Sequence, residues 1–178
     1  MKYQLYLALA IVLAACNERS TPEAASSSAA KDVLLQQLRT THSDQQWFAT
    51  TNTALQGLTA EQAMWTDSSG NHSVGQLAYH IAFWNEQQLA KFKGLEPDAF
   101  SGDNNETFDA FTKEAWESVV KRVDSVSTEW EKAIETADEA KLKEWYGTLA
   151  NINTHNAYHT GQIVYIRKMK GWWDPERG

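Results

Sequence analysis

Cysteine is almost missing from this 178-residue chain, with Cys16 the single example, so no intramolecular disulfide can form. Basic residues are in the minority, 16 Lys and Arg against 23 Asp and Glu, giving a formal charge of −7. The charges are spread in mixed-sign segments, and the basic face that a nucleic-acid partner needs is absent. The longest apolar stretch, Tyr3 to Ala15 with Gln4 inside it, falls short of the ~20 residues of a membrane-spanning helix. Nor does any segment alternate apolar and polar residues over a useful strand length. What the chain has is aromatics: eight Trp, six Phe and six Tyr, enough for the core of one ordinary domain.

The short apolar stretch has the length of a secretory h-region and follows a minimal basic start at Lys2. It ends Leu13-Ala14-Ala15-Cys16, which resembles a bacterial lipoprotein lipobox. That resemblance implies cleavage before Cys16 and acylation of its sulfur and new amino terminus. Residues 1–15 would then be the signal peptide, and loss of Lys2 alone takes the formal charge from −7 to −8. A plain signal peptide or a retained N-terminal anchor is the other reading of these residues. The mature domain would contain no cysteine and no thiol nucleophile. Asn17 after the cysteine resembles outer-membrane sorting in enterobacteria, which places the protein on the outer membrane facing the periplasm. Residues 16–31, Ser- and Ala-rich with Pro22, read as a flexible tether with a reach of about 20 Å. The folded domain is expected over 32–178.

Helical spacing organises that domain into four segments. The first is expected from Asp32 to Leu55, with Leu35, Leu38, His42 and Ala49 on one stripe. The second begins at Ser73, where Ser73 and Gln76 fit a capping box, and runs to about Phe92 before Gly94 and Pro97. A long third helix is expected from Asn105 or Glu106 through Phe108, Ala115, Val119, Val123, Val126, Trp130 and Ala133. Asp138 to Gly147 reads as a break with room for one extra helical turn. The fourth helix runs from Thr148 to Lys170, with basic residues in its last turn and Gly171 beyond. The fold class is therefore all-α, a four-helix bundle with antiparallel neighbours expected first, while the long connections near 58–72 and 94–105 leave an unusual helix order open.

Five histidines are unevenly placed. His155 and His159 are four apart, so at ~100° per residue they lie about 40° apart on one helix face. Asn151, Ile152, Gln162 and Ile166 share that stripe, which should point inward. His80 sits beside Leu77, Ile81 and Trp84 on the apolar edge of the second helix. Three imidazoles from two helices can hold one divalent metal and leave positions open. Equally, His80 reads as a hydrogen-bonded core histidine, and His42 as bundle lining before pocket residue. His72, just ahead of the helix cap, reads as a loop residue.

The segments Ser73-Val74-Gly75-Gln76-Leu77-Ala78-Tyr79-His80 and His155-Asn156-Ala157-Tyr158-His159-Thr160-Gly161-Gln162-Ile163 together resemble the DinB/YfiT-like superfamily. The ending Gly171-Trp172-Trp173-Asp174-Pro175 adds to the likeness, which covers roughly 32–173. It implies a four-helix bundle with His80, His155 and His159 as ligands of one divalent ion, zinc or nickel, and pairing of two copies through helices. It also implies metal-dependent hydrolysis, thiol-dependent S-transfer, or metal and small-ligand binding without turnover; a vestigial triad is the remaining reading.

The residues narrow that chemistry. Zinc peptidases use HExxH, whose Glu is the general base; here the position is Asn156. No Asp or Glu lies on the stripe from Asn151 to Ile166, and Glu86 is off the His80 face. Gln162 is read either as orienting a ligand or water, or as a helix–helix hydrogen bond. Gly161 is expected to permit close helix contact, and Trp84 and Tyr158 to line either a pocket or the core. A water-activating carboxylate would have to come from elsewhere, a loop being one source. Hydrolysis of a small molecule in the cell envelope is the leading expectation.

Overall fold

The computed structural model describes residues 22–177, and side chains from residue 29. The signal segment 1–15, Cys16 and the first part of the expected tether lie outside the described residues. Seven α-helices are present and no strand occurs among the described residues: α1 (Pro22–His42), α2 (Thr51–Leu55), α3 (Ala60–Met64), α4 (Val74–Phe92), α5 (Glu106–Asp109), α6 (Trp116–Thr136) and α7 (Glu139–Met169). Four are long and make the bundle, which is the expected fold class.

The boundaries moved for local reasons. Helix α1 is described from Pro22 onward, so 22–30, read as tether, is helical; the alanines there favour helix. The expected first helix is broken at 43–50, where Ser43 and Asp44 both donate their amides to Arg39 O. Thr50 then caps α2, its hydroxyl accepting from Thr53 N. Ala49 therefore does not share a helix with Leu38. The Leu58–Asn71 connection holds α3, started by a second capping box of Thr59 and Gln62.

Helix α4 matches its sequence reading, with the Ser73–Gln76 capping box closed at 3.1 and 2.8 Å. The expected third helix is two: α5 ends at Asp109, and α6 begins at Trp116 after a 3₁₀ turn over Lys113–Ala115. Phe111 explains the interruption, since its ring packs on Gly75 where a Cβ would come within 2.1 Å. Only glycine lets this segment lie that close to the start of α4. Conversely, the expected break at Asp138–Gly147 is helix. Asp138 caps α7 by accepting from Lys141 N at 2.9 Å, and buried Leu142 packs this turn into the core with Trp145 and Tyr146 beside it. Gly147 in mid-helix, about 1 kcal/mol less favourable than Ala, is tolerated.

Helix order follows from the pairs that meet. Both α1 and α4 pack against α6 and α7. Lys31 reaches Glu135 O and His42 reaches Asp124, so α1 and α6 are antiparallel. Glu86 pairs with Arg122 and Lys93 with Glu129, so α4 and α6 run parallel. Phe92 meets Trp145 and His80 meets His155, making α4 and α7 antiparallel. Asn153 meets Leu34, and Thr160 meets Thr51 beside Thr41, so α1 and α7 are parallel. Two of four neighbouring contacts are thus parallel, against the all-antiparallel expectation. The long stretch 93–115 carries the chain from α4 to its parallel neighbour α6, and a short loop could not.

Two apolar clusters fill the bundle. One joins Val74, Leu77, Ala78 and Ile81 of α4 to Phe108, Phe111, Trp116, Val119 and Val123. The other joins Leu34, Leu35 and Leu38 of α1 to Leu89, Phe92, Trp130, Ile134 and Leu149. Between them α4 and α7 meet through polar side chains, and the histidines sit there.

Candidate metal centre

The capping box fixes the start of α4, and two turns later His80 points into the α4–α7 interface, 4% exposed. His155 and His159 come from the facing stretch of α7, half-buried and buried. The three Nε2 atoms converge: His155 Nε2 lies 3.0 Å from that of His80 and 3.1 Å from that of His159. One nitrogen from each falls within 4.8 Å of the others. The structure brings together the three residues that the sequence nominated.

Two of the three tautomers are set by neighbours. His80 Nδ1 lies 2.6 Å from Thr107 Oγ1, whose own proton goes to Asn104 O at 2.6 Å. With that proton committed, Thr107 accepts from His80 Nδ1–H, and His80 Nε2 carries a lone pair. His159 Nδ1–H donates to Gln162 Oε1 at 2.6 Å, which likewise leaves His159 Nε2 bare. Both lone pairs face His155 Nε2, which can offer a single proton. A cation satisfies all three at once.

The donor set fits one. Metal–imidazole bonds of ~2.0–2.1 Å separate two ligand nitrogens by roughly 2.9–3.4 Å for angles from 90° to tetrahedral, and the two pairs above lie in that range. The imidazoles are also held neutral, as ligation requires. Burial lowers His80 to about 3, helped by His159, His155 and His72. His159 is lowered to about 4 by burial, against the Gln162 bond. Burial lowers His155 as well. Nitrogen donors of this type suit zinc, copper, iron and nickel.

A cavity of about 660 Å³ opens beside the triad, lined also by Trp84, Asn85, Gln88, Asn104, Phe108, Thr148, Asn151 and Ile152. Its lining holds amides, a hydroxyl and apolar rings, with no Asp, Glu, Lys or Arg among the described residues. Trp84 is a lining residue, its indole donating to Asn104 Oδ1 at 3.2 Å. Glu86 lies off this face, as expected, paired with Arg122. Among the described residues no loop places a carboxylate in the cavity lining, where a water-activating base would be needed.

Other expectations shift. The inward face of α7 is centred on Ile152, Asn153, Asn156, His159, Thr160 and Ile163, so Asn151 of the expected stripe is exposed. Gly161 is exposed and a Cβ there would meet nothing within 4 Å, so it permits no close contact. Tyr158 is 63% exposed, outside the cavity, its ring edge-on to His159 at 4.9 Å. His42 lines the bundle, with Nδ1 on Glu131 and Nε2 on Asp124 at 2.8 and 2.9 Å. His72 is an exposed loop residue whose ring stacks on Phe108 at 3.7 Å, and Phe108 in turn stacks on His80 at 4.0 Å.

Sequence reasoning missed Thr107, Asn104 and Phe108 as site residues. Thr107 is 1% exposed and 27 positions from the imidazole it orients, so no spacing rule announces it. The one sequence trace is Gly75, whose missing side chain admits the 106–111 segment.

The chain is an all-helical bundle whose three converging histidines, beside a polar cavity, could hold a metal ion. The family model for the DinB superfamily matches residues 42–163. The match spans more than half of the chain, which belongs to that superfamily. No curated protein and no solved structure matches it.

Proposed function

We propose that this chain is an envelope lipoprotein, anchored through acylated Cys16, whose bundle binds one divalent ion, zinc or nickel, through His80, His155 and His159 and acts as a metal-dependent hydrolase on a small molecule. The observation that carries the metal reading is the convergence of three Nε2 atoms, two of them locked as lone-pair donors by Thr107 and Gln162. A divalent ion held there supplies a Lewis acid and lowers the pKa of a bound water or thiol. The chain's own residues do the rest. Thr107 and Gln162 hold the imidazole protons on Nδ1. Trp84, Phe108 and Ile152 give the cavity apolar walls, and Gln88, Thr148 and Asn151 offer hydrogen bonds to a substrate.

A second reading, thiol-dependent S-transfer, draws on the lack of a carboxylate in the cavity lining. A thiol ionises near neutral pH more readily than water and needs no protein base. Metal-loaded protein should hydrolyse members of an ester, amide and phosphate panel without added thiol; turnover only when a low-molecular-weight thiol is supplied would favour transfer. Silence in both panels with metal retained would leave binding without turnover.

Attachment is tested separately. Cys16→Ser should move the protein from the membrane fraction to the soluble one, and continued firm attachment would overturn the lipoprotein reading. Outer-membrane placement facing the periplasm is the location we propose, read from density-gradient fractions. Pairing of two copies is part of the proposal, since Trp47 is 96% exposed and Tyr158, Tyr165 and Met169 lie exposed on α7; sedimentation showing a monomer would remove it.

A further inference from the structure

Helix α7 is unusual along the stretch that carries its ligands. Its buried residues from Leu149 onward are Leu149, Ile152, Asn153, Asn156, His159, Thr160, Ile163 and Arg167. Between Ile152 and Ile163 no apolar side chain is buried, so no hydrophobic knob fixes the axial position of α7 where the metal donors lie. Polar contacts take that place, one to each neighbour. Asn153 donates to Leu34 O of α1 at 3.4 Å, and Thr160 meets the Thr51 hydroxyl of α2 at 2.8 Å. Asn156 meets Asn85 of α4.

That last contact is reciprocal and enclosed. Asn85 Nδ2 donates to Asn156 Oδ1 at 2.8 Å, and Asn156 Nδ2 donates back to Asn85 Oδ1 at 3.2 Å. The second Asn85 proton goes to Ile81 O at 2.8 Å. Trp130, fully buried, donates to Asn85 O at 3.2 Å and so ties the same residue to α6. The two asparagines are 1% and 3% exposed. Such a pair has one register: sliding either helix by a residue moves its amide ~1.5 Å and turns it ~100°, breaking both bonds in a dry interface. Together with the histidine contact, it ties α4 to α7 through side-chain hydrogen bonds.

We propose that the Asn85–Asn156 amide clasp is the registry device that sets His80 of α4 opposite His155 and His159 of α7. The two asparagines are positioning residues and neither is a metal ligand, although Asn85 reaches the cavity wall and Asn156 also hydrogen-bonds His155. Metal–nitrogen distances tolerate only ~0.2 Å, whereas an aliphatic contact surface accepts small slips with little loss. A buried asparagine that fixes helix register at some expense of stability is a known device in helical assemblies. The inference rests on the triad as a metal site, and it assigns to Asn156 a role away from the general-base position it occupies in the histidine motif.

The test replaces both amides together, Asn85→Leu with Asn156→Leu, so that no orphaned amide is left. Cobalt(II) is titrated into metal-free wild type and variant, and thermal melting runs in parallel. The clasp predicts a folded variant, as stable as wild type or more so, whose cobalt affinity falls at least tenfold and whose visible spectrum changes. A merely structural pair would lower the melting temperature and leave affinity intact in the folded fraction. Unchanged affinity in a folded variant overturns the inference. If the leucines prevent folding, Asn85→Val with Asn156→Val is used in the same assay; failure of both pairs to fold also overturns it. Should wild type bind no cobalt, the metal reading falls by itself. The clasp is then read from imidazole NOEs between His80 and His155 in the metal-free protein, which the double variant should lose; their persistence overturns the inference.

Discussion

Thr107→Val isolates the hydroxyl that orients His80. Valine keeps the β-branched shape and volume in a site that is 1% exposed, so packing is nearly unchanged. Two bonds of 2.6 Å disappear: the one accepted from His80 Nδ1–H and the one donated to Asn104 O. A buried donor left without a partner costs about 1–3 kcal/mol, while the Asn104 carbonyl keeps the Thr107 backbone amide as a partner at 3.2 Å. The imidazole has a way to lessen its share, by moving its proton to Nε2, and that removes a metal lone pair. Loss of such an orienting partner typically lowers metal affinity 10- to 100-fold, about 1.4–2.7 kcal/mol. Competition titration with a chromophoric zinc chelator measures the affinity, and urea unfolding of the metal-free protein measures the stability. Thr107→Ser, which keeps the hydroxyl, should recover most of both. A valine variant that binds zinc as tightly as wild type would refute the tautomer argument.

Three further outcomes follow from packing and protonation. Metal-free protein should lose stability between pH 7 and pH 5. The folded values of His80 and His159, about 3 and about 4, lie below the unfolded ~6.5, so the unfolded chain binds more protons as pH falls; each contributes on the order of 2 kcal/mol over that window, and an unchanged urea midpoint would contradict it. Arg167→Met should destabilise by about 3 kcal/mol, because the buried guanidinium donates to Ala54 O at 2.6 Å, Gln56 O at 3.1 Å and Trp172 O at 3.0 Å; a shift under about 0.5 kcal/mol would show those carbonyls are otherwise satisfied. Gly75→Ala pushes a methyl to 2.1 Å from the Phe111 ring, so about 1–3 kcal/mol of stability should be lost together with zinc affinity, and adding Phe111→Ala should restore fit locally.

Local chemistry made part of this legible. The Ser73–Gln76 box marks the start of α4 to the residue, because a cap is a contact between near neighbours. The four-residue spacing of His155 and His159 needs nothing beyond helix geometry. The α1 break and the continuity of α7 were misread, since Thr50 and Asp138 are ordinary residues until their hydrogen bonds form. Parallel neighbours were hidden because the loops that allow them leave several orders open. Thr107 stayed hidden for the same reason: its role exists only once Phe111 has seated on Gly75. Asn156 was visible as a departure from a peptidase motif, while its bond to Asn85 depends on which helix faces it.

The central claim is that His80, His155 and His159 hold one divalent ion. Elemental analysis of purified protein, reconstituted in turn with zinc and nickel and then desalted, measures it most directly, with His155→Ala as the paired control. The account predicts close to one equivalent in the wild type and a small fraction of that in the variant. A wild type that stays metal-free after reconstitution with either ion, or a variant that retains a full equivalent, would contradict it.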